Sequence, residues 1–154
     1  MSDRLRKQIC VELEQLDQLF EIHQPLLAKA KHTAPSDIEL SALAAFLHSF
    51  YTGVENIFKR VATELDGQSP SGDSWHRDLL DAMTSETPQR CRFISPEMRD
   101  RLMDFLQFRH FFRHAYVLQL HWLKMQAVVN DCHDAYRALR SEIEKFLSAL
   151  PRAG

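Results

Sequence analysis

The sequence predicts an all-α fold, an up-and-down helical bundle of four main helices plus one short helix. Three observations carry this prediction. Only four glycines occur among 154 residues, and Leu, Ala, Glu, Arg and Gln, which lose little freedom in a helical turn, are abundant. Apolar residues recur in steps of three and four along several long stretches, with no period-two pattern of comparable length to argue for strands. Helix start signals stand in front of two of these stretches. With 45% apolar and 26% charged side chains, the chain reads as one domain, residues 1–154, able to bury a single core without staples.

The elements follow in order. Leu5, Ile9, Leu13, Leu16 and Phe20 predict an amphipathic helix from about residue 3 to the low twenties, bent or ended near Pro25. Ser36, Asp37, Ile38 and Glu39 form a capping box, and Leu40, Leu43, Leu47, Phe50, Val54, Ile57 and Val61 then mark a helix over 37–66, closed by Gly67. Residues 68–73, rich in Ser, Pro and Gly, form a linker, followed by a short helix over 75–83 and a loop holding Pro88. Ser95, Pro96 and Glu97 supply a cap, an N1 proline and a first-turn acid for a helix carrying Leu102, Phe105, Phe108 and Phe112. The last helix is an unbroken seam of Leu118, Trp122, Met125, Val129, Cys132, Tyr136, Leu139, Ile143, Phe146 and Leu150. Such a seam packs helices at shallow angles within a bundle, or pairs two chains in a coiled coil.

Net charge is −2, which argues against a general nucleic-acid binder. The distribution is uneven, because residues 86–114 hold Arg90, Arg92, Arg99, Arg101, Arg109 and Arg113 against Glu86, Glu97, Asp100 and Asp104. That segment is +2 (six minus four) and the remainder −4, so a phosphate-bearing ligand is expected to approach there. The N-terminus has no signal-peptide core and no apolar run is long enough for a membrane span, so a cytoplasmic location is expected. Cys10, Cys91 and Cys132 have no CxxC spacing and are expected to be reduced core thiols.

The polar residues in the apolar run from Phe108 to Tyr116 are the candidate site. Burying an unpartnered cation or imidazole costs about 1–3 kcal/mol or more, so a face built for packing alone would avoid them. Arg and His together suit phosphodiester cleavage through a 2′-hydroxyl, with His moving protons near neutral pH and Arg meeting the charge on the phosphorane. That route uses no metal and no cofactor. Five residues of helix turn Arg109 and His114 about 140° apart, so one site needs either a break in the helix or two subunits. His110, His114 and His121 share a helical face, but residue 111 is Phe where a zinc HExxH motif carries Glu, and no metal site is expected.

The run Arg109, His110, Phe111, Phe112, Arg113, His114, Ala115, Tyr116 resembles the Arg-x4-His-x-Tyr signature of HepT-type toxins in the HEPN superfamily, with His110 in the slot that often holds Asn, Asp or His. The resemblance covers residues 1–150 as helical order and about nine residues as motif. It implies a single HEPN-like helical domain acting as a homodimeric, metal-independent endoribonuclease, the toxin of a toxin–antitoxin pair. By the same resemblance Arg109 holds the scissile phosphate, His114 transfers protons and His110 orients the site. An MNT-type nucleotidyltransferase antitoxin is the implied partner, with AMP transfer to Tyr116 as its means of inhibition. Arg113 departs from the aliphatic residue usual before the histidine, and either adds charge at the site or pairs with Asp104 or Glu55. Glu55 lies where related proteins have a second-helix acid near the cleft, although a lone glutamate on an amphipathic helix is expected to be solvated.

Two other readings compete. A non-catalytic helical substrate-binding partner of a minimal nucleotidyltransferase would use the same basic cleft to present a nucleotide. A pure interaction bundle would place Phe105, Phe108, Phe111 and Phe112 in a dimer core.

Overall fold

A computed structural model describes residues 2–114 and 121–151, with side chains at 3–112 and 121–151. Among these residues it contains five α-helices and no β-strand: α1 (Ser2–Ala30), α2 (Asp37–Val61), α3 (Trp75–Ala82), α4 (Pro96–His114) and α5 (Trp122–Ala149). Four are long and α3 is a short connector, as the apolar spacing predicts. No helix among the described residues is long and apolar enough to cross a membrane.

The bundle is organised around α2, which packs against each of the other four helices. That central position explains its composition. Phe46, Leu47, Phe50, Tyr51, Val54, Ile57 and Phe58 are all buried, a band wider than the single stripe of a surface helix. Each such apolar side chain contributes about 1.5–3 kcal/mol relative to exposure. The α1–α2 contact is close enough that a Cβ at Gly53 would lie 2.6 Å from Leu16 Cδ2. Phe20 of α1 is the aromatic hub: it stacks on Tyr136 of α5 with centroids 4.8 Å apart and meets Phe46 and Phe50 edge-on.

Helix ends follow the sequence signals with two differences. Ser36 accepts from the Glu39 amide while the Glu39 carboxylate accepts from the Ser36 amide, the reciprocal capping box. The α-helical pattern of α2 then passes into a π turn, Ala62–Asp66, before Gly67 at φ 85° ends it. The second difference is in α1, which runs through Pro25 to Ala30 rather than ending in the low twenties. Pro25 and Glu21 are both exposed, so the Glu21 carbonyl that loses its amide partner is on the solvent side. Leu27 and Ala30 beyond the proline are buried, and their packing outweighs one lost hydrogen bond.

The α5 seam is spent inside the chain. Met125, Val129, Cys132, Tyr136, Leu139, Ile143 and Phe146 are buried against α1, α2 and α4, so this periodicity reports the bundle core and not a coiled coil with another chain. Phe105 and Phe108 likewise belong to the chain's own core, whereas Phe111 is 39% exposed. Cys10 and Cys91 are exposed and only Cys132 is buried, correcting the expectation of three core thiols. Burial pushes the Cys132 thiol up to about 12.

Two polar clamps fix the loops that position α3 and α4. Ser95 caps α4 by accepting from the Met98 amide, and its own amide and hydroxyl donate to Glu142 of α5. Arg90, whose side chain is fully buried, makes five hydrogen bonds with its five N–H groups. Two go to the Asp66 carboxylate, and three to the carbonyls of Ser85, Cys91 and Ala82. The arginine therefore ties the end of the α2 π turn to the end of α3.

Candidate active site at the junction of α2, α3 and α4

The site grows from a buried carboxylate. Glu55 stands four residues after Tyr51 and three before Phe58 on the inward face of α2 and is 2% exposed. A carboxylate at that depth must be paired and hydrogen-bonded. Its Oε1 accepts from Nη1 of Arg109 on α4, and its Oε2 lies 2.6 Å from Nδ1 of His76 on α3. The Glu55 reading therefore changes from a solvated side chain to the anchor of the site. The Tyr51 hydroxyl is buried close by without a hydrogen-bond partner. Burial first and the Glu55 charge second push its ionisation far up, against the pull of Arg109 and Arg99, so this phenol stays neutral.

Arg109 Nη1 is also 3.1 Å from His76 Nδ1. An ionised carboxylate only accepts, so the hydrogen on His76 Nδ1 belongs to Glu55, and the guanidinium, which has no acceptor, is a neighbour of that nitrogen and not its partner. The imidazole is held in place from its other side as well. Trp75 stacks on it with centroids 3.5 Å apart, and Lys59 Nζ lies 4.4 Å from the Trp75 ring centroid. Together these contacts fix the first turn of α3 directly after the linker.

Beside this cluster lies a cleft of about 370 Å³ lined by His76, Arg77, Asp73, Gln107, Arg109 and His110, together with the apolar Met103 and Leu106. Its size falls in the range of small-molecule and single-nucleotide pockets, about 300–1,000 Å³. Arg109 is largely buried at 13% side-chain exposure, while His76 keeps 21%. His110 is exposed at the rim.

The remaining predicted residues fall as follows. α4 is α-helical from Arg109 through His114, so the break that would bring the two residues together within one chain does not occur. The side chains of Arg113 and His114, and all of Tyr116 and Leu118, lie outside the described residues. Of the two acids named for Arg113, Glu55 is taken by Arg109. The expected histidine face does not form either, because His121 is extended at the residue before α5 rather than on α4. Among the described residues no group of three or more His, Cys, Asp or Glu could hold a metal ion.

The basic segment is also reassigned. Arg90 pairs with Asp66, Arg99 with Asp81 and Asp100, Arg101 with Asp131, and Arg92 donates to the Thr84 carbonyl. These arginines hold connectors and helices together, and among the arginines of residues 86–114 whose side chains are described only Arg109 lines the cleft. Sequence reasoning missed His76 entirely. The signal that would have found it is Glu55 itself, an acid placed mid-stripe on a buried face, which demands cationic or N–H partners from elsewhere in the chain.

Comparison with known proteins places the chain in a family. No curated protein and no solved structure matches the chain significantly. A family model described as HepT-like protein matches residues 42–150. That span exceeds two thirds of the 154 residues and takes in Glu55, His76 and the whole of α4. The chain belongs to the HepT-like family of the HEPN superfamily.

Proposed function

We propose that this protein is the toxin of a toxin–antitoxin pair, a metal-independent endoribonuclease that works as a homodimer. The observation that carries the proposal is Arg109, fixed by a buried carboxylate at the wall of a nucleotide-sized cleft in a chain of the HepT-like family. A guanidinium anchored on one edge loses little freedom when its remaining N–H groups meet phosphate oxygens.

In the proposed reaction the 2′-hydroxyl of RNA attacks the adjacent phosphorus, and the P–O5′ bond breaks. A 2′,3′-cyclic phosphate and a 5′-hydroxyl end result. Arg109 binds the phosphate and meets the charge that builds on it. His114 donates the proton that the departing 5′ oxygen needs. Because α4 is continuous between the two residues, they face apart by about 140° within one chain. Arg109 of one copy therefore works with His114 of a second copy across a two-fold axis. His110, at the rim, orients the strand, and Arg113 adds positive charge near the same end of α4.

The proposed partner is an MNT-type nucleotidyltransferase antitoxin. Transfer of AMP from ATP to the Tyr116 oxygen, with release of pyrophosphate, would place an anion beside the motif and obstruct the RNA path.

The test is growth and total-RNA integrity after inducing wild type, Arg109→Ala and His114→Ala at equal levels. Arrest with RNA cleavage in the wild type alone is expected. Normal growth and intact RNA in all three would favour a non-catalytic substrate-binding partner of a nucleotidyltransferase.

A further inference from the structure

We infer that His76 is a second catalytic proton-transfer residue of the Arg109 cleft, with Nδ1 held by Glu55 and Nε2 taking the 2′-hydroxyl proton of RNA; the inference rests on the ribonuclease reading above.

Three observations carry it. The first is the 2.6 Å contact between His76 Nδ1 and Glu55 Oε2. Glu55 is 2% exposed and paired with Arg109, so it is an ionised acceptor and Nδ1 carries the hydrogen. In the neutral ring Nε2 then holds the lone pair. A carboxylate that fixes the tautomer and plane of an imidazole is the device that prepares histidine as a base in hydrolytic triads.

The second is placement. His76 lines the same cleft as Arg109, and the two side chains share one carboxylate, with Arg109 Nη1 3.1 Å from His76 Nδ1. A phosphate held by Arg109 is thus brought next to the imidazole. The third is rigidity: the Trp75 ring covers one face of His76, and Lys59 lies against that tryptophan. A structural histidine needs only a satisfied polar atom. This one is satisfied at Nδ1, clamped on one face and still 21% exposed to a cleft.

With this assignment the proton balance of the cleavage step closes. His76 Nε2 accepts the 2′-hydroxyl proton as the 2′ oxygen bonds to phosphorus. Protonated His114 of the second copy gives its proton to the leaving 5′ oxygen. His76 afterwards returns its proton to water, and His114 regains one.

His76→Asn separates catalysis from structure. The asparagine amide nitrogen can occupy the Nδ1 position and donate to Glu55, but nothing replaces Nε2. Cleavage by purified wild type, His76→Asn and Arg109→Ala is followed together with RNA binding. His76→Asn is expected to bind RNA like wild type and to cleave about 10²–10⁴-fold more slowly, and free imidazole is expected to restore part of the activity of His76→Gly. Cleavage by His76→Asn within threefold of wild type, with Arg109→Ala inactive, would overturn the role of His76 and leave the ribonuclease reading intact. Loss of cleavage without imidazole rescue would make His76 structural and overturn the inference. Absence of cleavage by the wild type would overturn both.

Discussion

Glu55→Gln is the perturbation that most sharply tests how the site is held. The carboxylate makes one charge-assisted contact to Arg109 and one to His76, and at 2% exposure water cannot replace either. A hydrogen bond to a charged group contributes about 1.5–3 kcal/mol and a neutral one about 0.5–1.5. The amide keeps one acceptor, its oxygen, for Arg109 and turns its NH2 toward His76 Nδ1, which can accept only by giving up its hydrogen, so each contact should weaken by about 1–1.5 kcal/mol. Two contacts give about 2–3 kcal/mol, near the low end of what breaking a buried pair costs, because Arg109 and His76 can still reach the cleft. In urea unfolding, with a slope of about 2 kcal/mol/M, the midpoint should fall by about 1–1.5 M with the slope unchanged. A double-mutant cycle with Arg109→Met should show a coupling of at least about 1 kcal/mol. A Glu55→Gln protein within about 0.5 kcal/mol of wild type, the range of ordinary surface substitutions, would show that Glu55 is solvated and that Arg109 is not anchored as described.

Three further outcomes are expected. Arg90→Met strips a buried five-bond hub and should destabilise by about 3–5 kcal/mol, read from the same urea midpoints; a loss under 1 kcal/mol would mean the α2–α3 connection is held by other contacts. In thiol titration of the native protein, exposed Cys10 and Cys91 should label at once, and Cys132, whose thiol burial holds near 12, only on unfolding. Rapid reaction of all three would contradict the α5 packing. The Glu39 carboxyl is held below its ordinary 4.5, chiefly by the Ser36 amide and then by Lys29. Its folded value is depressed, so its contribution is complete above pH 4.5 and lost as pH falls through the folded value. Glu39→Gln should flatten that part of the acid limb of stability, and an unchanged acid limb would refute the contribution.

Much of the fold is legible because it is written in local signals. The four-three seams, the Ser36 box and the Ser95 cap each act within one or two turns, and each forms where the spacing puts it. Pro25 misleads because its cost is a single hydrogen bond on the solvent side, while the burial of Leu27 and Ala30 that overrides it is set by α2 and α5. The site is legible only in part. Arg109 stands out as a cation in an apolar run, but its partner Glu55 is 54 residues away and His76 another 33 from Arg109. No spacing rule joins a mid-helix acid, a residue at the start of a short connector helix and an arginine on a third helix. For the same reason Arg90, Arg99 and Arg101 read as a basic patch until the fold supplies Asp66, Asp81 and Asp131. The link from Arg109 to His114 is set by the straightness of α4, which the sequence states only as an angle.

The most direct test of the two-copy site is complementation in vitro. Arg109→Ala and His114→Ala proteins are unfolded together and refolded as a mixture, and RNA cleavage is compared with each variant alone. If Arg109 of one copy works with His114 of the other, each mixed dimer regains one intact site of two. Half of the dimers are mixed at random assortment, so activity should return to about one quarter of wild type in a two-fold symmetric assembly. A mixture as inactive as its components, beside an active refolded wild type, would contradict the account and place Arg109 and His114 of the same chain in one site.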